Sequence, residues 1–146
     1  MIVLLLSACS ERFTAYYPKY EDALKAGAIE RGWIPEIIPK TATDIHEQHD
    51  LDTNEVWLRF DLPSADKDRL IAGMRRLTAR EISNVRISHP SRTDWWFEDL
   101  VQQAPANDNA LNTNDIYALK YRGNKSGYMA FEEISQRVYR VYYWCP

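Results

Sequence analysis

His46, Glu47, His49, Asp50 and Asp52 form the densest group of side chains able to move protons or hold a metal. Asn54 extends the same polar run. Two imidazoles three residues apart share a face if the segment is helical. The spacing is not that of the HExxH zinc motif, whose histidines are four apart with the glutamate between them. A third ligand would have to come from a distant position such as His89. No metal and no cofactor is therefore expected. The structural reading of His46, His49, Asp50, Asp52 and Asn54 is hydrogen bonding at a helix end and a turn. The sharper alternative is a small hydrolase or metal-binding protein using His46 or His49 with Asp50 or Asp52. There is no GxSxG, no Ser-x-x-Lys and no glycine-rich phosphate loop, and glycine is scarce at five residues. No catalytic residue is assigned, and the chain reads as a binding protein more than as an enzyme.

Aromatic side chains are the second candidate. Trp95-Trp96-Phe97 and the tyrosine-rich C-terminal stretch could stack on a sugar ring or a peptide. Trp95 and Trp96 are named as that candidate aromatic surface. The competing destination is the core, since five tryptophans in 146 residues must be placed somewhere.

The first ten residues, Met1 to Ser10, are uncharged, mostly apolar, and end in small residues around a cysteine. Leu6-Ser7-Ala8-Cys9 resembles the lipobox of bacterial lipoproteins. The resemblance implies cleavage before Cys9 and lipidation of that residue. Acyl chains contribute about 0.8 kcal/mol per buried CH₂, so two or three anchor stably where one does not. No Lys or Arg precedes the run, and it is shorter than the roughly 7–15 residues of a normal apolar leader core. A full leader would thus need an upstream start. A transmembrane helix is excluded for this run, since it needs about 20 apolar residues. Ser10 after Cys9 favours the outer membrane, with the domain facing the periplasm. The other cysteine, Cys145, reads as a small buried hydrophobe at a strand end.

The elements that must position these residues follow from periodicity. Residues 1–8 read as a signal-peptide remnant, 9–17 as a lipid-anchored tether, and 18–146 as a single globular domain. Tyr20, Ala23, Leu24, Gly27 and Ala28 recur at helical spacing after Pro18, which predicts an amphipathic helix of 12–14 residues stopped by Gly32. Gly27 would let that helix approach a sheet closely. The two prolines of Trp33–Pro39 make that stretch a packed connector. Thr41 and Thr43 are N-cap candidates for one or two helical turns carrying His46 and His49.

Residues 55–62 alternate as a half-buried strand, with Val56, Leu58, Phe60 and Leu62 inward. Residues 64–77 read as a helix, and Thr78 with Glu81 has capping-box spacing. Residues 85–87 read as an edge strand, and Asp94 as the cap of a short helix over 95–101. Residues 102–114 read as a loop. Residues 116–121, 128–133 and 138–144 read as strands with short connections, hence antiparallel neighbours. The fold class is α+β: two layers, an antiparallel sheet of at least four strands with helices on one face.

Composition sets the outer bounds. Hydrophobic residues at 45% and charged residues at 27% exclude wholesale disorder. A net charge of −3 without a basic stripe argues against nucleic acid as a partner. The stretch from Tyr20 through Arg31-Gly32-Trp33-Ile34-Pro35 to Leu51-Asp52-Thr53-Asn54 is similar to a group of small predicted bacterial lipoproteins. That resemblance implies a cell-envelope lipoprotein and brings no catalytic residue with it. The leading expectation is a non-enzymatic envelope lipoprotein, membrane-bound through its lipid, that binds an envelope protein, a wall component or a lipid. A phage-type exclusion or immunity factor is a further alternative.

Overall fold

A computed structural model describes residues 11–85, 88–96, 116–121 and 125–146. Cys9, its leader and the 102–114 loop lie outside the described residues, as do most of the expected 85–87 strand and of the 95–101 helix.

The described chain runs β1 (Arg12–Lys19), α1 (Tyr20–Lys25), β2 (Thr43–Asp50), β3 (Val56–Pro63), α2 (Ser64–Ile71), β4 (Arg75–Arg76), α3 (Ala79–Ile82), β5 (Ile116–Tyr121), β6 (Lys125–Ser135) and β7 (Val138–Cys145). All seven strands join one antiparallel sheet in the order β1-β2-β3-β7-β6-β5-β4. The protein is mostly sheet with short helices. The expected strand at 55–62 and the three C-terminal strands are present. No described helix is long and apolar enough to cross a membrane.

Three expectations about residues 9–50 are corrected. First, residues 12–17 are not a tether. Phe13, Ala15 and Tyr17 alternate with Arg12, Thr14 and Tyr16, and the segment pairs with β2 over its whole length. Pro18 is tolerated because β1 is at the sheet's edge.

Second, the N-terminal helix is six residues, not 12–14. Gly27 takes φ +72°. The Gly27 amide bonds Leu24 and the Ala28 amide bonds Ala23, a Schellman stop that ends the helix before Gly32. The chain then turns through Trp33–Pro39, burying Ile34 and Ile38.

Third, Thr43–Asp50 is strand rather than helical turns. Its inward residues are Ile45, Glu47 and His49, and two polar residues on the buried face hid the period-two pattern.

The sheet carries an apolar cluster on each face. The first gathers Tyr20, Ala23, Ile34, Ile45, Leu58, Phe60, Leu62, Leu70, Met129, Val141 and Tyr143, with Cys145 at its margin. Full burial of Leu58, Phe60 and Leu62 contributes about 1.5–3 kcal/mol each relative to exposure. The second holds Trp57, Leu77, Trp95, Trp96, Ile116, Ala130, Tyr142 and Trp144. Strand β3 is therefore buried on both sides, not one. Helices α1 and α2 contribute to the first cluster, whereas Ile82 of α3 packs on the second, so the described helices do not share one face. Thr78 and Glu81 form the expected capping box.

Trp95 and Trp96 are each 8% exposed, and Trp96 meets Tyr142 and Trp144 edge-on. They are core residues, not an open stacking platform, because the aromatic edges of β7 supply partners that water does not.

Candidate functional site

Strand alternation decides which polar residues of β2 meet. His49 points to the side of α1, where its ring is clamped between Trp33 at 3.8 Å and Phe13 at 5.3 Å. Its Nδ1 lies 2.5 Å from Glu47 Oε1. Glu47 is 2% exposed, and burial pushes its carboxyl above the ordinary range although His49 and Arg31 pull the other way. The Tyr17 phenol is raised by burial and by the nearby Glu47 charge.

His46 points to the opposite face. It lies against the rings of Tyr16 and Trp95, and its Nε2 is 3.2 Å from Asp44 Oδ1. Arg59 donates to the other oxygen of Asp44, which sits at φ +51° beside the β2 bulge. Burial works to raise Asp44, but Arg59 and His46 together hold it below the usual carboxylate range.

Asp50 shares the His46 face. Arg12 Nε donates to it at 2.6 Å, and its other oxygen accepts from the amides of Asp52 and Thr53. The Arg12 bond, aided by those amides, lowers its pKa. Asp52 and Asn54 are exposed in the turn, with Asn54 at φ +58°. The histidines therefore do not converge with each other, and Asp50 is committed to Arg12 and the turn. Among the described residues, no group of three or more His, Cys, Asp or Glu is placed to hold a metal.

A cleft of about 460 Å³ opens on the His46 face and is lined by Arg12, Thr14, Gln48, Ser91 and Arg92. Gln48, 2% exposed, builds it. Its Nε2 donates to Thr14 Oγ1 and to the Ser91 carbonyl, while its Oε1 accepts from the Ser91 amide at 2.7 Å. These bonds fasten the 88–92 segment over β1 and β2. Arg92 follows at φ +55° and is exposed, with no ion pair among the described residues. Arg12 closes the other side, partly neutralised by Asp50 and 5.8 Å from the Trp57 ring centroid.

Two guanidiniums and a hydroxyl around one opening, positioned by the Gln48 amide, suit an oxyanion. A second cleft, between β4, α3 and β6, contains Arg75 and Glu81, which neutralise each other at 2.8 Å. That bond and the Thr78 cap hold Glu81 at about 2.

Sequence reasoning missed Arg12, Thr14, Gln48 and Arg92. The alternation of Arg12, Thr14 and Tyr16 with Phe13, Ala15 and Tyr17 carried the signal for the first two. The partnership of Gln48 with Ser91 spans 43 residues and left no local trace.

Residues 11–61, from the start of β1 into β3, match the family model described as the YbbD head domain. No curated protein and no solved structure matched the chain.

Proposed function

We propose that the chain is a non-enzymatic cell-envelope lipoprotein, anchored through Cys9 in the outer membrane, whose periplasm-facing domain binds an anionic ligand in the Arg12–Arg92 cleft. The observation that carries the binding role is Arg92, an exposed cation without a described ion-pair partner, facing Arg12 across a cleft that Gln48 holds open. The histidines and carboxylates that would serve catalysis are instead engaged in local pairs: His49 with Glu47, His46 with Asp44, and Asp50 with Arg12. The anchor rests on the Leu6-Ser7-Ala8-Cys9 quartet, and the envelope location is supported by the match of residues 11–61 to the YbbD head domain.

Each half has its own test. With an intact upstream leader, clickable palmitate should label the wild type and not Cys9→Ser. Equal labelling removes the anchor. Citrate or inorganic phosphate, at ionic strength matched with chloride, should raise the melting temperature, since a ligand of the native state stabilises by mass action. Arg92→Ala should abolish that rise. An equal response of wild type and variant removes the cleft as the binding site.

A further inference from the structure

The cleft is bordered by the outer edge of β1, and the hydrogen-bond phase of that strand can be read from its neighbours. The Leu51 amide donates to the Glu11 carbonyl, directly across the β1–β2 ladder. The alternation of an antiparallel pair then turns the backbone groups of Phe13, Ala15 and Tyr17 toward β2. The Asp50 amide donates to the Glu55 carbonyl, which turns the even residues of β2 toward β3 and confirms the same phase. The amides and carbonyls of Arg12, Thr14 and Tyr16 therefore point away from the sheet. Pro18 occupies the next outward position, where its missing N–H removes no bond to β2.

Among the described residues, β1 has no strand on its other side. Arg12 and Thr14 belong both to this edge and to the cleft. Strand β1 carries Arg12 and Lys19 and no acidic residue, in a chain of net charge −3. Phe13 and Tyr16, more than half exposed, offer apolar cover on the two faces of the edge.

We propose that the outer edge of β1 receives an extended acidic peptide from a partner protein, which adds as an eighth strand and sets carboxylates against Arg12 and Arg92. This rests on the anion-binding reading of the cleft and names what presents the anion. Strand addition draws affinity from main-chain bonds and specificity from alternate side chains. Those side chains recur about every 6.5–7 Å on one face, so successive carboxylates line up beside Arg12 and the cleft mouth. A second copy of the chain fits less well. Antiparallel β1–β1 pairing would bring the Arg12 end of one strand against the Lys19 end of the other, and facing like charges destabilise a ladder. The same edge lysine and proline discourage indiscriminate pairing.

The test uses the full chain carrying Cys9→Ser and two synthetic probes, acetyl-(Glu-Val)4 and acetyl-(Lys-Val)4. Amide hydrogen exchange should slow at Arg12, Thr14 and Tyr16 on adding the acidic probe. It should stay unchanged at Phe13, Ala15 and Tyr17, which already bond to β2. Arg92→Glu should weaken binding of the acidic probe by about tenfold while preserving the melting temperature. Equal binding of the basic probe overturns the proposal, as does slowing of these three amides without any peptide in a chain that is dimeric by light scattering. If neither probe slows exchange while citrate still raises the melting temperature, strand addition is wrong and the cleft reading stands. If citrate also fails, both fall.

Discussion

Glu47 is a carboxylate held almost wholly out of water, facing His49 on its own strand, Tyr17 across the ladder, and Arg31 from the loop after α1. Its folded pKa is raised, so between the ordinary carboxylate value and that raised value the folded state holds more protons than the unfolded chain. Stability from this group is thus present at low pH and falls as pH rises through that window. Glu47→Gln keeps an acceptor for His49 and removes the charge. Its melting temperature, relative to wild type, should increase from pH 4 to pH 7, and a difference that is the same at both pH values refutes the assignment. The turn offers a second residue-scale outcome. Asp50, not Asp52, accepts the turn amides, so Asp50→Ala should lower the melting temperature more than Asp52→Ala. Asn54 sits in the left-handed region, which costs most L-residues about 1–2 kcal/mol and which asparagine enters more readily than alanine because its short polar side chain bonds locally. Asn54→Ala should lower stability by about 1 kcal/mol, and Asn54→Gly should not, as read by chemical denaturation. The sequence marked this segment as polar and organised. It could not reveal that one strand sends His46 and His49 to opposite faces, because the helix assumption put them on one.

Strand β3 was legible from its alternation, and β5 to β7 from apolar and aromatic runs joined by short turns. Strands β1 and β2 were not. Tyrosine stands on both faces of β1, and Glu47 and His49 stand on the buried face of β2. Helix α1 was overextended for a related reason: Tyr20, Ala23, Leu24, Gly27 and Ala28 keep helical spacing although the backbone reverses at Gly27. That reversal changes what Gly27 does. A Cβ there would meet Arg31 Nη1 at 3.1 Å, the far end of a flexible side chain, so space is easily made. The cost is instead the φ of +72°. Gly27→Ala and Gly27→Leu should therefore destabilise by similar amounts, about 1–2 kcal/mol each. Close packing of the helix on the sheet would make the leucine variant much worse than the alanine one, and urea titrations of both variants decide between the two.

At the scale of the molecule, the sheet is two antiparallel halves joined along one ladder. Residues 11–61 supply β1, α1, β2 and most of β3, and β3 then pairs with β7 from Val56 to Pro63. The first core draws Leu119, Met129, Phe131, Val141, Tyr143 and Cys145 from the C-terminal half, and Trp57 is covered by that half's Tyr142 and Trp144 among others. An isolated fragment of residues 11–63 would keep Arg12, Thr14 and Gln48 of the cleft. It would lose Ser91, which fixes Gln48, and would open β3 as a second unpaired edge with Trp57, Phe60 and Leu62 partly uncovered. Those large side chains each represent kilocalories of lost burial, set against a net stability of only about 5–15 kcal/mol for a whole domain. The fragment should therefore melt without a cooperative transition by circular dichroism and should bind the dye ANS, while the full chain does neither. A cooperative melt of residues 11–63 as a monomer would mean that the matched segment carries its own core, and that the β3–β7 ladder joins two independent units.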